Sequence, residues 1–456
     1  MSSNWPTVKL GDYCRKIGSG ATPRGGASVY MDQGEICLIR SQNVYNEGFN
    51  PNGLVYVDEA AAKKLNNVTV EENDVLLNIT GDSVARVCLA KPRFLPARVN
   101  QHVAIIRPNE KEFDPRFIRY LLASPAYQNI LLSIAAVGAT RNALTKGMIE
   151  NLDVLKPPIE QQIEMANQLE ALDKKIDINS ETNQTLEQIA QAIFKSWFVD
   201  FDPVKAKIET LAAGGSADDA ELAAMSVISA KTVDELNSLK ASNPEAFNKL
   251  AQTAALFPAA MQDSELGEIP EGWSYCTFGD ISACFDSKRV PLSKRKREEK
   301  QPGTIPYYGA TSVMDYVNEW IFDDTYLLLG EDGSVVKGDG TPFVQYIWGK
   351  SWVNNHAHVL QGSNGVSTEH LMVFIKGTNI ASYVTGAVQL KLNQKNMNSI
   401  PFLKASTEIN LVFQGVLNGL YDAYKNNIES SQSLSSLRDS LLPRLLSGEM
   451  ELIDKE

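Results

Sequence analysis

The sequence has few of the residues and motifs on which enzymes rely for covalent chemistry. Only four of its 456 residues are histidine. Its five cysteines are odd in number and form no Cys-x-x-Cys pair, which argues against a disulfide framework or a zinc knuckle and favours reduced thiols in the cytoplasm. Neither a Gly-x-Gly-x-x-Gly loop nor a phosphate-binding Gly-x4-Gly-Lys-Ser/Thr loop is present, and neither is the Asp/Asn-Pro-Pro-aromatic signature of adenine methyltransferases. We therefore expect no metal and no cofactor in this chain.

Long hydrophobic runs are also missing. The opening "MSSNWPTVKL" lacks the apolar core of a secretory signal, and the stretch "NILLSIAAVGA" from Asn129 is too short to cross a bilayer. The chain is nevertheless 43% hydrophobic, which is enough for sizeable cores. Its length predicts two or three domains of a cytoplasmic protein.

The formal net charge of −12 is unevenly distributed. Residues 1–157 carry a net charge of +3 and residues 268–405 a net charge of −1, whereas residues 158–267 carry −10 and residues 406–456 carry −4. The excess of acidic residues is thus concentrated in two segments. A groove in either of the two near-neutral segments could still be basic enough to bind nucleic acid.

The near-neutral segments are two copies of one unit. "WPTVKLGD" from Trp5 is repeated as "WSYCTFGD" from Trp273, and "VNQHVAII" from Val99 as "VNNHAHVL" from Val353. "GATRNALTKGMIENLDVLK" from Gly138 is repeated as "GAVQLKLNQKNMNSIPFLK". The first copy is about 20 residues longer, and the extra length lies between shared ends. A duplicated scaffold with two different specificities has this pattern.

Each copy predicts an α+β domain built around a curved sheet. Short apolar runs such as "EICLIR", "DVLLNITGD", "HVAIIRPN", "TYLLLGEDGS" and "FVQYIWG" are bounded by turn residues and predict strands. "DPRFIRYLLAS" and "TEHLMVFIKG" predict helices, the first starting after an Asp-Pro cap.

The acidic segments predict two long helices that pair with each other. Seam residues follow a 3-4 spacing typical of a coiled coil, and the same spacing recurs 248 residues later. The first seam is Leu169, Leu172, Ile176, Asn179, Asn183, Leu186, Ala190, Ile193 and Trp197; the second is Leu417, Leu420, Tyr424, Asn427, Ser431, Leu434, Arg438, Leu441 and Leu445. Arg438 is the one charged residue in the seam and does not fit the coiled-coil pattern. A buried asparagine fixes register, so Asn179 and Asn427 are expected to pair.

The predicted order is therefore domain, helix, domain, helix. The boundaries are 1–157 for the first domain, 158–201 for the first long helix, 202–264 for a helical linker insertion, 265–405 for the second domain and 406–456 for the second long helix and tail. Antiparallel pairing of the helices would give a circular arrangement with a pseudo-two-fold axis. A seam of about 29 residues is roughly 43 Å long, somewhat more than one turn of DNA.

Two patterns raise the possibility of a metal site, and both are weak. Asp286, Glu298 and Lys300 can be drawn as a nuclease-like triad, but they span a charge-rich run in which such a match arises by chance. The pair His356 and His358 suggests a metal-binding strand. His356 aligns with His102, which has no such neighbour, so a structural histidine is the preferred interpretation.

Several cations and amides are of the types that bind DNA. A basic run near the start of the second copy would follow phosphates, and Arg40, Gln42 and Asn43 in "LIRSQNVYN" are of the types that contact guanine and adenine edges. The candidate DNA-binding residues are Arg24, Arg40, Gln42, Asn43, Arg86, Arg141, Lys288, Arg289, Lys294, Arg295, Arg297 and Gln389.

Taken together, the chain resembles the specificity subunits of type I restriction–modification enzymes over essentially its whole length. The resemblance rests on the doubled opening and closing motifs, on "GSGATP", "NITGDSVARV" and "LLLGEDGSV", and on "FKSWFVDFDPV" from Phe194 and "DSELGEIPEGW" from Asp263. It implies two target recognition domains, each contacting one half of an asymmetric bipartite site in double-stranded DNA. It also implies spacer helices that dock two methyltransferase subunits carrying S-adenosylmethionine, and separate restriction motor-nuclease subunits.

Two other classes of function remain open at this stage. The chain could be a DNA-modifying or DNA-cleaving enzyme with its own activity, which predicts turnover by the purified chain. It could also be a coiled-coil adaptor with two protein-binding domains, which predicts no sequence-selective DNA binding. The missing active-site motifs favour a non-catalytic subunit.

Overall fold

The computed structural model describes residues 5–23, 25–136, 142–386 and 389–447. The chain forms two compact units, and the first of them takes residues from both ends of the chain. It comprises residues 1–180 together with residues 428–456, whereas the second comprises the continuous stretch 181–427. Among the described residues, no helix has the length and apolar character needed to cross a membrane.

The domain at the start of the chain contains two four-stranded sheets. Its strands are β1 (Thr7–Lys9), β2 (Cys14–Ser19), β3 (Ile36–Ile39), β4 (Val44–Tyr45), β5 (Gly48–Phe49), β6 (Val55–Val57), β7 (Thr69–Val70), β8 (Val75–Asn78), β9 (Val87–Leu89), β10 (Ala97–Val99), β11 (Val103–Pro108) and β12 (Asp153–Leu155). One sheet has the order β6-β3-β10-β7, with β3 and β10 parallel. The other has the order β2-β11-β8-β9 and is antiparallel throughout.

The central strands β8 and β11 are apolar at successive positions because both of their faces are buried. Val75 and Leu77 face one hydrophobic core, whereas Leu76 between them faces another. Successive side chains of a strand point to opposite faces, so a strand between two cores needs a continuous apolar run. The helices of this domain are α1 (Glu59–Lys64), α2 (Pro115–Ala123), α3 (Pro125–Ala136) and α4 (Lys146–Glu150).

A long helix and a small helical insertion follow. The long helix is α5 (Ile159–Phe198), and the insertion contains α6 (Asp202–Ala212), α7 (Ala217–Ser229), α8 (Val233–Ser242) and α9 (Pro244–Ala255). Capping boxes at Ser216 and Thr232 begin α7 and α8. A small core that includes Met225 and Leu236 holds the insertion together.

The second domain repeats the strand order of the first. Its strands are β13 (Met261–Gln262), β14 (Ile269–Pro270), β15 (Ser274–Thr277), β16 (Ser282–Cys284), β17 (Ile305–Tyr308), β18 (Val313–Val317), β19 (Phe322–Asp323), β20 (Tyr326–Gly330), β21 (Val344–Ile347), β22 (Lys350–Val353), β23 (Ala357–Gly362) and β24 (Pro401–Lys404). Its sheets have the orders β18-β17-β22-β19 and β16-β23-β20-β21, and β17 and β22 form the parallel pair. The duplication predicted from the sequence is thus confirmed for both four-stranded sheets.

The repeated motifs form a common frame in which the start of each domain packs on its end. Leu10 N donates to Leu152 O, and Phe278 N donates to Ile400 O at the matching place. A Cβ atom at Gly11 would lie 2.8 Å from Cβ of Glu150, so only glycine fits. Gly279 is equally close to Asn398 in the second domain. The repeated glycine therefore reflects close packing.

The remaining helices are α10 (Lys294–Glu298), α11 (Thr368–Gly377), α12 (Gln394–Asn398) and the long α13 (Thr407–Ser447). In each unit, part of α5 lies antiparallel to part of α13. All eighteen seam residues named above are buried or half-buried. In the first unit Leu169 shares a core with Leu441 and Leu445; in the second Ala190 shares one with Leu417.

Hydrogen bonds between polar seam residues fix the register of the helices. In the first unit Asn179 Nδ2 donates to Ser431 Oγ at 3.1 Å, and in the second unit Asn427 Nδ2 donates to Asn183 Oδ1 at 2.9 Å. These two pairs are equivalent under the 248-residue repeat. The direct pairing of Asn179 with Asn427 stays a prediction. Arg438, the misfit of the seam, pairs with Asp173 at 2.7 Å and is therefore accommodated as an ion pair.

Candidate nucleic-acid interface

A repeated Asn-x-His turn follows the parallel strand β10 or β22 in each domain. Asn100 Oδ1 accepts from His102 N at 3.0 Å, and Asn354 Oδ1 accepts from His356 N at 2.8 Å. Both asparagines are buried. The ring of His102 contacts Thr80 Oγ1 at 2.5 Å, and the ring of His356 pairs with Asp332. The repeated histidine thus marks a structural turn that brings two loops together.

In the first domain this turn lines an open cleft of about 410 Å³. The cleft is bounded by Ser41, Gln42, Tyr45, Thr80, Gly81, Asp82, Ser83, Arg86 and His102. Its walls are the loop after β3 and the turn between β8 and β9. Its lining combines an amide, hydroxyls, a carboxylate, an imidazole and a guanidinium, so it offers both donors and acceptors.

Two of the predicted arginines of the first domain stack on tyrosine rings. The guanidinium of Arg86 lies 4.6 Å from the centre of the Tyr45 ring, and that of Arg40 lies 5.3 Å from the Tyr30 ring. Arg40 also donates to Gly53 O at 2.5 Å. Arg86 lines the cleft, whereas Arg40 holds the loop. The candidates Arg24 and Arg141 lie outside the described residues.

Asn43 has a structural role that its residue type did not indicate. It is fully buried, its Nδ2 donates to Asn50 O at 2.9 Å, and its Oδ1 accepts from Arg40 N at 3.0 Å. A buried amide with these contacts holds the loop in shape and does not face solvent. Gln42 beside it is exposed and lines the cleft, and its Nε2 also donates to Gly53 O at 3.0 Å.

The basic run of the second domain divides into exposed and internal cations. Lys288 is exposed, and the side chains of Lys294 and Arg295 are 84% and 88% exposed. Arg289 is mostly buried and pairs with Glu331 at 2.7 Å. Arg297 pairs with Asp315 at 2.9 Å. Arg289 and Arg297 thus form ion pairs within the domain, and their contact with DNA stays a prediction. Gln389 is exposed.

Exposed aromatic and apolar side chains lie on the same domain. Met314 and Tyr316 on the edge strand β18 are more than half exposed, and Trp320 follows this strand. Lys350 Nζ lies 3.7 Å from the centre of the Trp320 ring. Exposed aromatic rings combined with basic side chains are typical of nucleic-acid-binding surfaces.

The nuclease-like triad is not assembled. Asp286 accepts from His358 Nδ1 at 2.5 Å, Lys300 pairs with Glu319 at 2.5 Å, and Glu298 is exposed on α10. In the described parts of the chain, the one group of possible metal ligands with ligand atoms within 4.8 Å is Cys284, Asp286 and His358.

That group forms a buried ion-pair network. Burial alone would lower the pKa of His358, but hydrogen bonds to Asp286 and Cys284 raise it to about 9. His358 is therefore protonated at neutral pH, and its Nε2 donates to Leu392 O at 2.8 Å. Arg289 lies 3.3 Å from the same carboxylate of Asp286. Two cations thus already balance Asp286 and Glu331, and the histidine anchors the closing motif of the second domain.

Several residues of these surfaces are not apparent from the sequence patterns. Tyr45, Asp82 and Ser83 line the first cleft, and Tyr316 and Trp320 are exposed on the second domain. Asp82 lies in the "TGDS" turn directly after a buried strand. A polar turn in such a position is the signal from which it could have been found.

The chain thus combines two copies of one α+β domain with two long helices that pair with each other, and these features can be compared with known families. The family model of the type I restriction modification DNA specificity domain matches residues 2–188 and 270–403, and the chain belongs to this family.

Similar proteins include particular subunits of this class. The specificity subunit of the type I restriction enzyme HindI from Haemophilus influenzae is 28% identical, covering 98% of this chain and 100% of the relative. The MjaIX specificity subunit from Methanocaldococcus jannaschii is 21% identical over 99% of this chain and 95% of the relative. The S subunit structure from M. genitalium has 16% identity and a TM-score of 0.46, covering 97% of this chain and 96% of that one.

Proposed function

We propose that this chain gives a type I restriction–modification complex its DNA sequence specificity, and that each domain contacts one half of an asymmetric bipartite site. The observation that carries this proposal is the shared strand order of the two domains combined with unlike loops at matching places. A common frame with different loops is what two unlike half-sites require. The chain itself is non-catalytic.

The proposed partners carry out the chemistry. Two methyltransferase subunits, each holding S-adenosylmethionine, flip an adenine out of the duplex and methylate it in each half-site. Restriction motor-nuclease subunits complete the enzyme. The acidic stretches 158–267 and 406–456 suit protein partners better than DNA, because like charge repels phosphate. The paired helices set the spacer between the half-sites.

Methylation mapping tests the proposal. The chain is produced with its cognate methyltransferase subunit in a host without DNA methylation, and N6-methyladenine is located by sequencing. We expect a motif of two unlike halves around a fixed spacer, and no methylation without the partner. Methylation at one undivided motif, or by the chain alone, would contradict the proposal.

A further inference from the structure

The two domains differ most in the connections at the cleft. Strand pairing matches Ile39 with Tyr308, because Asn100 N and Asn354 N donate to their carbonyl oxygens. The connection from β3 to β6 then comprises residues 40–54, whereas its counterpart from β17 to β18 comprises only 309–312. Much of the extra length of the first domain is therefore a loop on the wall of the cleft.

This loop is held in one shape by buried amides. Asn78 has no exposed surface, and its Nδ2 donates to Ser41 O at 2.8 Å. Asn46 Oδ1 accepts from Val87 N at 2.9 Å, and Arg119 Nη2 donates to Asn46 O at 2.6 Å. The loop is thus docked onto β8, β9 and α2. A surface held this firmly is preorganised for a ligand of defined shape.

The lining of the cleft fits base edges better than phosphates. Asp82 is an exposed carboxylate on its rim, and a carboxylate repels a phosphate. A carboxylate can accept from an exocyclic amino group of a base, an amide can pair with adenine, and a guanidinium can pair with guanine. Asp82, Gln42 and Arg86 supply one group of each type around one opening.

We infer that this cleft is the base-contacting site of the first domain, with Gln42, Asp82 and Arg86 determining its half-site. The inference rests on the proposed function and adds the residues that carry it. Strand pairing matches Arg86 with Phe343 of the second domain, and counting from the last paired strand residue gives Thr311 for Gln42 and Ser334 for Asp82; none of these three residues offers an amide, carboxylate or guanidinium. The second domain instead enlarges the counterpart of the turn between β8 and β9, residues 331–343 between β20 and β21.

Single substitutions test the inference in the full chain with its methyltransferase partner. Gln42→Ala, Asp82→Asn and Arg86→Ala should each relax one base position of the same half-site. The preference for the correct base there should fall about 10- to 100-fold. The other half-site and the spacer should stay unchanged. Arg93→Ala is the matched control, because Arg93 also stacks on an aromatic ring, at 4.7 Å from Phe94, but does not line the cleft.

Two results would overturn the inference while leaving the proposed function intact. One is an unchanged motif in all three variants. The other is uniform loss of methylation at every site by variants whose thermal unfolding matches that of the parent, since that indicates a general role in binding or assembly. Failure of the proposed function is distinguishable, because the unsubstituted chain would then give no split motif.

Discussion

Removal of the Asp173 carboxylate should destabilise the first unit far more than removal of its seam partner. Asp173 accepts from Arg119 Nη1 at 2.8 Å, from Tyr120 Oη at 2.8 Å and from Arg438 Nη1 at 2.7 Å. The side chains of Arg119 and Arg438 are only 6% and 14% exposed. One carboxylate on α5 therefore balances two nearly buried cations from α2 and α13.

The expected magnitudes follow from what each substitution leaves behind. Asp173→Ala leaves the buried Arg119 without its anion, whereas Arg438 keeps Asp439 at 2.9 Å, and breaking a buried pair in this way costs about 3–5 kcal/mol. Arg438→Leu restores an apolar seam residue, and Asp173 keeps Arg119 and Tyr120. We expect that change to alter the free energy of unfolding by at most about 1 kcal/mol, because Asp173 is still balanced by Arg119 and no buried charge is left without a partner.

Hydrogen exchange followed by mass spectrometry measures the effect locally, in peptides from 159–180 and 428–447. Asp173→Ala should accelerate exchange there and leave residues 181–427 unchanged. Asp177→Ala is the matched control on the same helix, since Asp177 pairs with Lys91 at the surface at 3.2 Å and its loss should cost less than about 1 kcal/mol. The reasoning is refuted if Arg438→Leu is as damaging as Asp173→Ala, or if Asp173→Ala behaves like the control.

Three further outcomes are expected. His370 is fully buried among aromatic rings, and burial lowers its pKa to about 3, below its unfolded value of about 6.5. Stability should therefore fall as the pH drops below about 6.5, and His370→Phe should flatten that decline in thermal scans between pH 4 and 7. His358 has the opposite sign, because its pKa is raised to about 9. The stability that protonated His358 contributes is complete below about pH 6.5 and is lost as the pH rises through 9. His358→Gln should therefore reduce the change of stability with pH between pH 7 and 9. An unchanged slope of stability against pH in either variant contradicts the assignment. Seven residues inserted after Ser180, matched by seven after Glu429, lengthen the helices by about 10 Å. Methylation mapping should then give a longer spacer with both half-sites unchanged, and altered half-sites would refute the spacer role of the helices.

The elements that could be predicted from sequence are those with a strong period or a repeated motif. The strands around Leu76 and Leu328 and the helix beginning after Asp114 are confirmed, because continuous apolar runs and an Asp-Pro cap are local signals. The duplication is confirmed as well, because the two domains share one strand order. The strands and the helix follow from residues close to one another in the chain, whereas the duplication follows from repeated motifs.

The parts that could not be predicted depend on contacts between distant residues. Nothing local separates Asn43 from Gln42, yet one is buried against Asn50 and the other is exposed. Arg289 and Lys288 are likewise neighbours, and contacts with the distant Glu331 and Ala357 make Arg289 internal. Residue type and spacing indicate which chemistry is available, but the partner that occupies a side chain is set by tertiary packing.

The segments of the chain that make up the two units have a consequence for folding during synthesis on the ribosome. The second unit is one continuous stretch, so all of its contacts become available once residue 427 has emerged. The first unit, although it begins the chain, includes Leu442 and Leu445 in its core. The apolar side of α5 at Leu169 therefore stays uncovered until the last part of α13 has been synthesised. A nonsense codon near position 428 would consequently damage the domain that was made first and spare the one that was made last.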